Sequence, residues 1–363
     1  PGAPAELREA FLAEHGLPVR DLAAPAVDCH DDVGVCGASL FVSAAAGARL
    51  VGAPAAPEAT GSGPPDVVAV VWGHGRPPRP PRRREEPAGE FLLGSWRDSW
   101  TPHAHAAAVA RVREAISRGD VYQVNLVGHA SAPYLGDPLP ALRRVAALPG
   151  ARYGGVLRAA AGDQSRWAIG CASPETLLAL AGGVVSTRPI KGTRPATAVG
   201  RDELRRSAKE RAEHIMIVDL ARNDLARVAR TGSVRVDELY AVRRWCDLWQ
   251  AESVVSARLA GGVGLAALLR AVCPGGSVTG APKRAALELI AAIEPVGRGA
   301  SMGALGWVGH GTLDLGLTIR TVAADGERLH VWAGGGITWG SDPAAEVAEA
   351  AAKAAPLRAA LAG

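Results

Sequence analysis

RWAIGCASPETLLALAGGVVSTRPIKGT, residues 166–193, is the stretch on which the fold turns. Its short apolar runs are broken by Pro and by Gly pairs, so it reads as several strands joined by tight turns. Upstream, RYGGVLRAA (152–160) and VYQVNLVGHASA (121–132) continue the strand texture, and HAAAVARVREAISRGD (105–120) has apolar residues at helical spacing with Gly119-Asp120 as a stop. Downstream, DELRRSAKERAEHIMIVDLARNDLARVAR (202–230) reads as one long helix. GLAALLRAV (264–272) is a short helix, and APKRAALELIAAIEP (281–295) is another, with Pro282 in its first turn. Strands return at ALGWVG, LGLTIRTVA and LHVWAGGGIT, and the C-terminal DPAAEVAEAAAKAAPLRAAL reads as a helix with a kink at Pro356. Strands cluster, then helices, then strands again. That order favours an α+β fold over a doubly wound parallel sheet.

The first hundred residues are less regular. SLFVSAAA (39–46) and DVVAVVWG (66–73) read as strands with long connections. RPPRPPRRREE (76–86) is proline-rich, lacks aromatics and ends in two acids, so it reads as an exposed loop and not as a nucleic-acid surface. The net charge of +4 suits an anionic small molecule as well as it suits nucleic acid. Five scattered cysteines, with no Cys-x-x-Cys, point to reduced thiols in the cytoplasm. Cys29-His30 and Cys36 have no second ligand pair and read as structural. No leader and no long uncharged apolar run is read, so no membrane span is expected.

Two carboxylate pairs stand at helical i, i+3 spacing: Glu210 with Glu213, and Glu346 with Glu349, the latter followed by Lys353 one turn on. Such pairs repel; solvation, neighbouring lysines or a bound cation can each make them tolerable. PGGSVTGAPK (274–283) and AGGGITWGSDP (333–343) read as glycine-rich turns with N–H groups free to face an anion. Lys191 sits between Pro189 and Pro195 in a constrained segment. His103 and His105 read as surface residues before a helix, His214 as a plain helix residue, and Asp219, Asn223 and Asp224 as packing and capping residues.

The ordered set GDVYQVNL (119–126), ASPET (172–176), PIKGTRP (189–195), AEHIMIVDLARNDLARV (212–228), PGGSVTGAPK, IRT (319–321), AGGGI (333–337) and DPAAEVAEAAAK (342–353) resembles the chorismate-utilising enzymes over roughly 103–357. The resemblance implies two large, mainly antiparallel sheets packed face to face with helices outside. Residues 1–102 would be a strand-rich region packed on a catalytic core at 103–357, the whole being one compact unit. The PIKGT form is similar to the aminodeoxychorismate synthase branch, in which the lysine attacks ring carbon 2 of chorismate and ammonia then adds at carbon 4. That implies Lys191 as nucleophile, Glu175 as general acid for the leaving hydroxyl, and Thr193 as a hydrogen-bond partner of the same oxygen. Arg188 or Arg194, with burial, would lower the lysine's pKa. Glu213 and Glu349 would bind Mg²⁺, with Glu210 and Glu346 helping directly or through water. Arg320 and the N–H groups of Gly334, Gly335 and Gly336 would take the enolpyruvyl carboxylate. Lys353 would add charge near a substrate carboxylate, and Ser277 and Gln123 would complete the substrate site. Gln123 stands where water-using members carry a base lysine, which argues against an isochorismate synthase.

Two positions depart from the family pattern: Ser253 stands where a histidine is usual, and Ser301 where an aromatic is usual. Gly34-Val35-Cys36-Gly37 is not followed by Leu-Gly-His, so no glutaminase is read, and ammonia would arrive free or from a glutamine amidotransferase subunit. Two other readings stand beside this one. Anthranilate synthase component I or another chorismate enzyme would carry a small residue at 191. A non-catalytic chorismate-binding or partner-interaction protein would have lost Glu175, Glu213 or Glu349, and all three are present. The resemblance implies a product on the p-aminobenzoate branch, for folate or secondary metabolism.

Overall fold

The computed structural model describes residues 4–24, 34–54, 57, 63–74, 90–159 and 166–363. The Arg-rich segment 76–86 and Cys29-His30 lie outside the described residues. In chain order the first elements are α1 (Pro4–Glu14), β1 (Val35–Val42), α2 (Ala44–Leu50), β2 (Val67–Gly73), β3 (Leu92–Leu93), β4 (Arg97–Asp98), α3 (Pro102–Ser117), β5 (Gln123–Leu135) and α4 (Leu139–Ala146). Next come β6 (Tyr153–Arg158), β7 (Ala168–Ser173), β8 (Thr176–Ala181), β9 (Val184–Arg188), β10 (Ile190–Pro195), α5 (Ala198–Arg206), α6 (Ala208–Ala226), β11 (Arg235–Trp245) and β12 (Leu248–Arg258). The chain closes with α7 (Leu265–Val272), a 3-10 turn (Gly276–Val278), β13 (Gly280–Ala281), α8 (Lys283–Ile293), β14 (Ala304–Val308), β15 (Leu313–Leu317), β16 (Thr321–Ala324), β17 (Arg328–Ile337) and α9 (Pro343–Ala362).

The strands form two antiparallel sheets. Sheet 1 has nine strands in the order β10-β12-β9-β8-β15-β14-β1-β2, with β11 also on β12. Sheet 2 has eight, in the order β13-β5-β17-β16-β7-β6, with β3 and β4 also on β5. The two pack face to face. One core cluster joins Leu40, Leu178, Val255 and Leu315 of sheet 1 to Val127, Ile169, Ala323 and Trp332 of sheet 2. The quoted stretch 166–193 supplies β7 to sheet 2 and β8, β9 and most of β10 to sheet 1, so the chain changes sheets at Pro174-Glu175. That crossing places Glu175 between the sheets.

Several sequence readings are corrected. The helix expected over 202–230 is two helices: Ser207 ends α5 and accepts the Glu210 N–H as N-cap of α6, because a serine hydroxyl offers the backbone an alternative to continuing the helix. SLFVSAAA is a strand only to Val42; Ser43 then caps α2 by accepting the Ala46 N–H. The strand-rich N-terminal region also holds α1. The C-terminal helix stands as read: α9 spans Pro343–Ala362 with Pro356 inside it. The glycines of AGGGI form no turn. They lie inside β17, in unbroken register with β5 from Ala333↔Gly128 to Ile337↔Val124, as the strand reading of LHVWAGGGIT expects.

Candidate active site

A cavity of about 100 Å³ opens between the ends of the two sheets, walled by α6 and α9. Lys191 reaches it from β10. The ladder to β12 shifts register between Lys191 and Thr193, and Gly192 takes φ +74° there. The lysine is half-buried, with Nζ donating to Ser277 O at 3.2 Å. A Cβ on Gly336 would stand 2.5 Å from Lys191 Nζ, and closer still to Gln123 Nε2. The glycine therefore makes room for the lysine and the amide.

Glu175 is 3% exposed and accepts the Ser277 hydroxyl at 2.5 Å. Ser277 thus touches both Lys191, through its carbonyl, and Glu175, through its hydroxyl. Burial pushes the Glu175 carboxyl up to about 7, against the pull of the Ser277 hydrogen bond and the Lys191 charge. Burial lowers the Lys191 amine from its ordinary value, and the Lys353 ammonium lowers it further, while Glu213, Glu175 and Glu349 raise it. The expected arginines are engaged elsewhere: Arg188 pairs with Glu252 at 3.4 Å and Arg194 with Glu210 at 2.9 Å.

Arg320, at φ 52°, stacks its guanidinium 4.3 Å over the Trp245 ring and donates to Lys353 O at 2.8 Å. Lys353 donates to Gly334 O at 2.9 Å and pairs with Glu349 at 2.6 Å. Thr338 donates to Glu213 at 2.8 Å, and Lys209 stands 3.8 Å from the same carboxylate. Thr193, Glu210, Glu213, Glu346, Glu349, Arg320 and Gly334 all line the cavity together with Lys191, Glu175, Ser277, Lys353 and Gly336. Two of the sequence-read site residues stand behind its wall. Gln123 is fully buried, with neither amide atom hydrogen-bonded. Gly335 leaves room for Glu346, whose Oε2 would be 3.0 Å from a Cβ placed there.

The carboxylates of α6 and α9 share one cavity, but among the described residues no three of His, Cys, Asp and Glu gather as a ready metal cluster. Lysines and an arginine hold three of the four instead. Burial raises Glu213 and Glu346 above the ordinary carboxylate range, and the neighbouring charges of Glu210 and Glu349 add to this. Burial works against the Glu349 charge too, yet Lys353 holds that carboxyl low.

Sequence reasoning missed Asn125, Gln250 and Trp245. Asn125 lines the cavity with an unpartnered Nδ2; its signal was the two-residue spacing from Gln123, which puts both on one strand face. Gln250, also a lining residue, and Trp245, under Arg320, gave no sequence signal. His105, expected at the surface, is 8% exposed on α3 and packs on Trp100 with ring centroids 5.0 Å apart. His214 is fully buried, its Nε2 2.6 Å from Ser253 Oγ. Asp224 forms an ion pair with Lys283 at 2.8 Å. No helix among the described residues is long and apolar enough to cross a membrane.

Residues 65–359 match the family model described as chorismate binding enzyme. Aminodeoxychorismate synthase component 1 of Klebsiella aerogenes is 40% identical over 265 residues, covering 71% of this chain and 58% of the relative. Anthranilate synthase component 1 of Streptomyces coelicolor is 43% identical over 262 residues, covering 70% of this chain and 50% of the relative. The chain therefore spans only half to three-fifths of the length of these curated relatives. The crystal structure of anthranilate synthase component I from Streptococcus pneumoniae TIGR4 superposes with a TM-score of 0.77 at 28% identity, covering 96% of this chain and 85% of that one. With this sheet pair, this cavity and a family match over most of its length, the chain belongs to the chorismate binding enzyme family.

Proposed function

We propose that the chain makes 4-amino-4-deoxychorismate from chorismate and ammonia. Overall similarity does not separate this from anthranilate synthesis, since relatives with either name are about equally similar. The observation that carries the reading is the Lys191 amine, bridged by Ser277 to a carboxyl raised to about 7. A neutral amine is a nucleophile, and a protonated carboxyl is a general acid for a hydroxide leaving group.

In this reading Lys191 Nζ bonds to ring carbon 2 while the bond from carbon 4 to its hydroxyl breaks. Glu175 gives that hydroxyl its proton, so water leaves, and Thr193 is placed on the lysine side of the same cavity. Ammonia then bonds to carbon 4, the double bonds return, and the lysine leaves as a neutral amine. The new ammonium gives up a proton, which restores Glu175. Ammonia comes free or from a separate glutamine amidotransferase subunit. Arg320 is the fixed cation for a substrate carboxylate: burial lowers it to about 10, so it stays charged at neutral pH. Lys353 adds a second positive charge.

The carboxylates of α6 and α9 suit Mg²⁺, which takes hard oxygen donors. Burial and like-charged neighbours raise Glu213 and Glu346 above the ordinary carboxylate range, so a cation beyond the nearby lysines would stabilise their charges. Glu213 and Glu349 would hold the ion, with Glu210 and Glu346 beside them. When bound, it would neutralise the ring carboxylate and draw electron density from the reacting diene.

The test is Lys191→Ala with chorismate, Mg²⁺ and ammonium. The variant is expected to lose 4-amino-4-deoxychorismate formation and to leak toward carbon-2 products, because water or ammonia can then reach carbon 2. Wild type given chorismate without ammonia is expected to carry an adduct of substrate minus water in its intact mass. Full product formation by the variant would remove the covalent role.

A further inference from the structure

Away from the cavity, four side chains are joined in sequence by hydrogen bonds across the far end of sheet 2. Ser99 lies just past β4, opposite His129 of β5, and its N–H donates to His129 O at 2.8 Å. Its hydroxyl oxygen is 2.6 Å from His129 Nδ1. His129 Nε2 is 3.0 Å from Nδ1 of His330, on β17. His330 Nε2 is 2.9 Å from Asp325 Oδ2, in the turn between β16 and β17. The two imidazoles are 7% and 2% exposed, whereas Ser99 is open to solvent.

The direction of the chain is set at its inner end. Asp325 Oδ1 already accepts the N–H groups of Glu327 and Arg328 at 2.9 and 2.7 Å. Burial works against its charge, but those bonds and His330 hold the carboxyl below the ordinary range. An ionised carboxylate only accepts, so His330 donates from Nε2 and accepts at Nδ1. His129 must then donate from Nε2, which leaves its Nδ1 lone pair for the Ser99 hydroxyl proton. One tautomer assignment satisfies all three contacts. Burial lowers both imidazoles, so both are neutral near pH 7.

We propose that Ser99 is a nucleophile activated by the relay His129–His330–Asp325, acting on small esters with good leaving groups. Ser99 Oγ bonds to the ester carbonyl carbon, and its proton passes to His129 Nδ1. The His129 Nε2 proton moves to His330 Nδ1, so the positive charge rests on His330 beside the Asp325 carboxylate. The adduct then collapses, the ester C–O bond breaks, and the leaving alcohol takes the proton from His129 Nδ1 while His330 Nδ1 returns its proton to His129 Nε2, which restores both neutral imidazoles. Water repeats the sequence on the acyl-serine and releases the acid. No oxidant, reductant or other co-reactant is needed. The serine stands in the open, which restricts the class to small, activated substrates.

The experiment treats the full chain with diisopropyl fluorophosphate, locates adducts by peptide mass, and follows p-nitrophenyl acetate hydrolysis in parallel. Wild type is expected to label at Ser99 and to hydrolyse the ester, and Ser99→Ala to do neither. The near-isosteric Asp325→Asn and His129→Gln are expected to slow labelling on the order of 10²-fold, the scale of a lost general base. Thermal melts identify the folded variants to be compared. Absence of a Ser99 adduct in wild type overturns the proposal, and so does labelling at the wild-type rate in folded Asp325→Asn or His129→Gln. Either result leaves the four groups as a hydrogen-bonded strut.

Discussion

Glu175 is the residue whose surroundings do most to change its chemistry. Its carboxyl titrates near 7 in the folded chain, against an ordinary value of 4.5. Between those pH values the folded chain keeps a proton that the unfolded chain has lost. Stability therefore falls as pH rises through that window and is flat above it. Glu175→Gln removes the effect, so its melting temperature relative to wild type is expected to climb between about pH 4.5 and 7 and then level off. A constant difference from pH 4 to 8 would mean that the carboxyl titrates normally. In the proposed reaction the same proton sets a falling alkaline limb near pH 7, and Glu175→Gln is expected to abolish turnover. Ser253 is a residue-scale adjustment of another kind. Its hydroxyl stands 2.6 Å from His214 Nε2 and accepts the Tyr240 N–H at 2.9 Å. Ser253→Ala strands both buried groups and is expected to cost about 1–3 kcal/mol in urea unfolding. Ser301, the other departure, is fully buried and satisfied by donating to Thr318 O at 3.1 Å.

Among the elements, β10 and α6 carry the site jointly. Gly192 makes the bulge that turns Lys191 into the cavity, at φ +74°. A Cβ there would stand 2.8 Å from Leu204 Cδ1 and 3.0 Å from Glu210 Oε2. Gly192→Ala therefore combines a strained backbone with a clash against α5 and α6. It is expected to cost about 1–3 kcal/mol and to impair turnover, measured by denaturant melts and product assay. The Ser207 cap is milder. Its hydroxyl accepts the Glu210 N–H at 3.2 Å, and Ser207→Ala is expected to cost about 1 kcal/mol by fraying the turn that carries Glu210.

At the scale of the molecule, the N-terminal strands are not an appendage. β1 pairs with β14 from Ala38↔Val308 to Val42↔Ala304, and β2 pairs with β1, so both belong to sheet 1. Leu12, Leu17 and Leu22 share the main core cluster with Leu265, Leu268 and Leu269. Tyr153 of sheet 2 reaches Thr176 and Asp314 of sheet 1 with its hydroxyl, at 2.8 and 2.5 Å. We expect one cooperative unit: a single calorimetric transition whose enthalpy equals the van't Hoff value. Two resolved transitions would mean that residues 1–102 and the remainder fold separately.

The α+β class, most element positions and the family were legible in the chain, because strand and helix periodicity are local and the motifs are contiguous. So were most of the polar side chains that meet in the cavity, Asn125 and Gln250 excepted, since ordered motifs carry their residues with them. What each residue touches was not legible. The glycines of β17 carried both a strand and a turn signal, because glycine marks turns locally; their pairing with β5 and the room Gly336 leaves for Lys191 are long-range facts. The cation that depresses Lys191 is Lys353, 162 positions later, not the adjacent arginines. The hydrogen bonds from Ser99 to Asp325 join β5, β17 and two connecting segments that no local pattern relates. Periodicity and propensity act over a few residues, whereas burial and charge act through space, and only the packing of two sheets decides which side chains share that space.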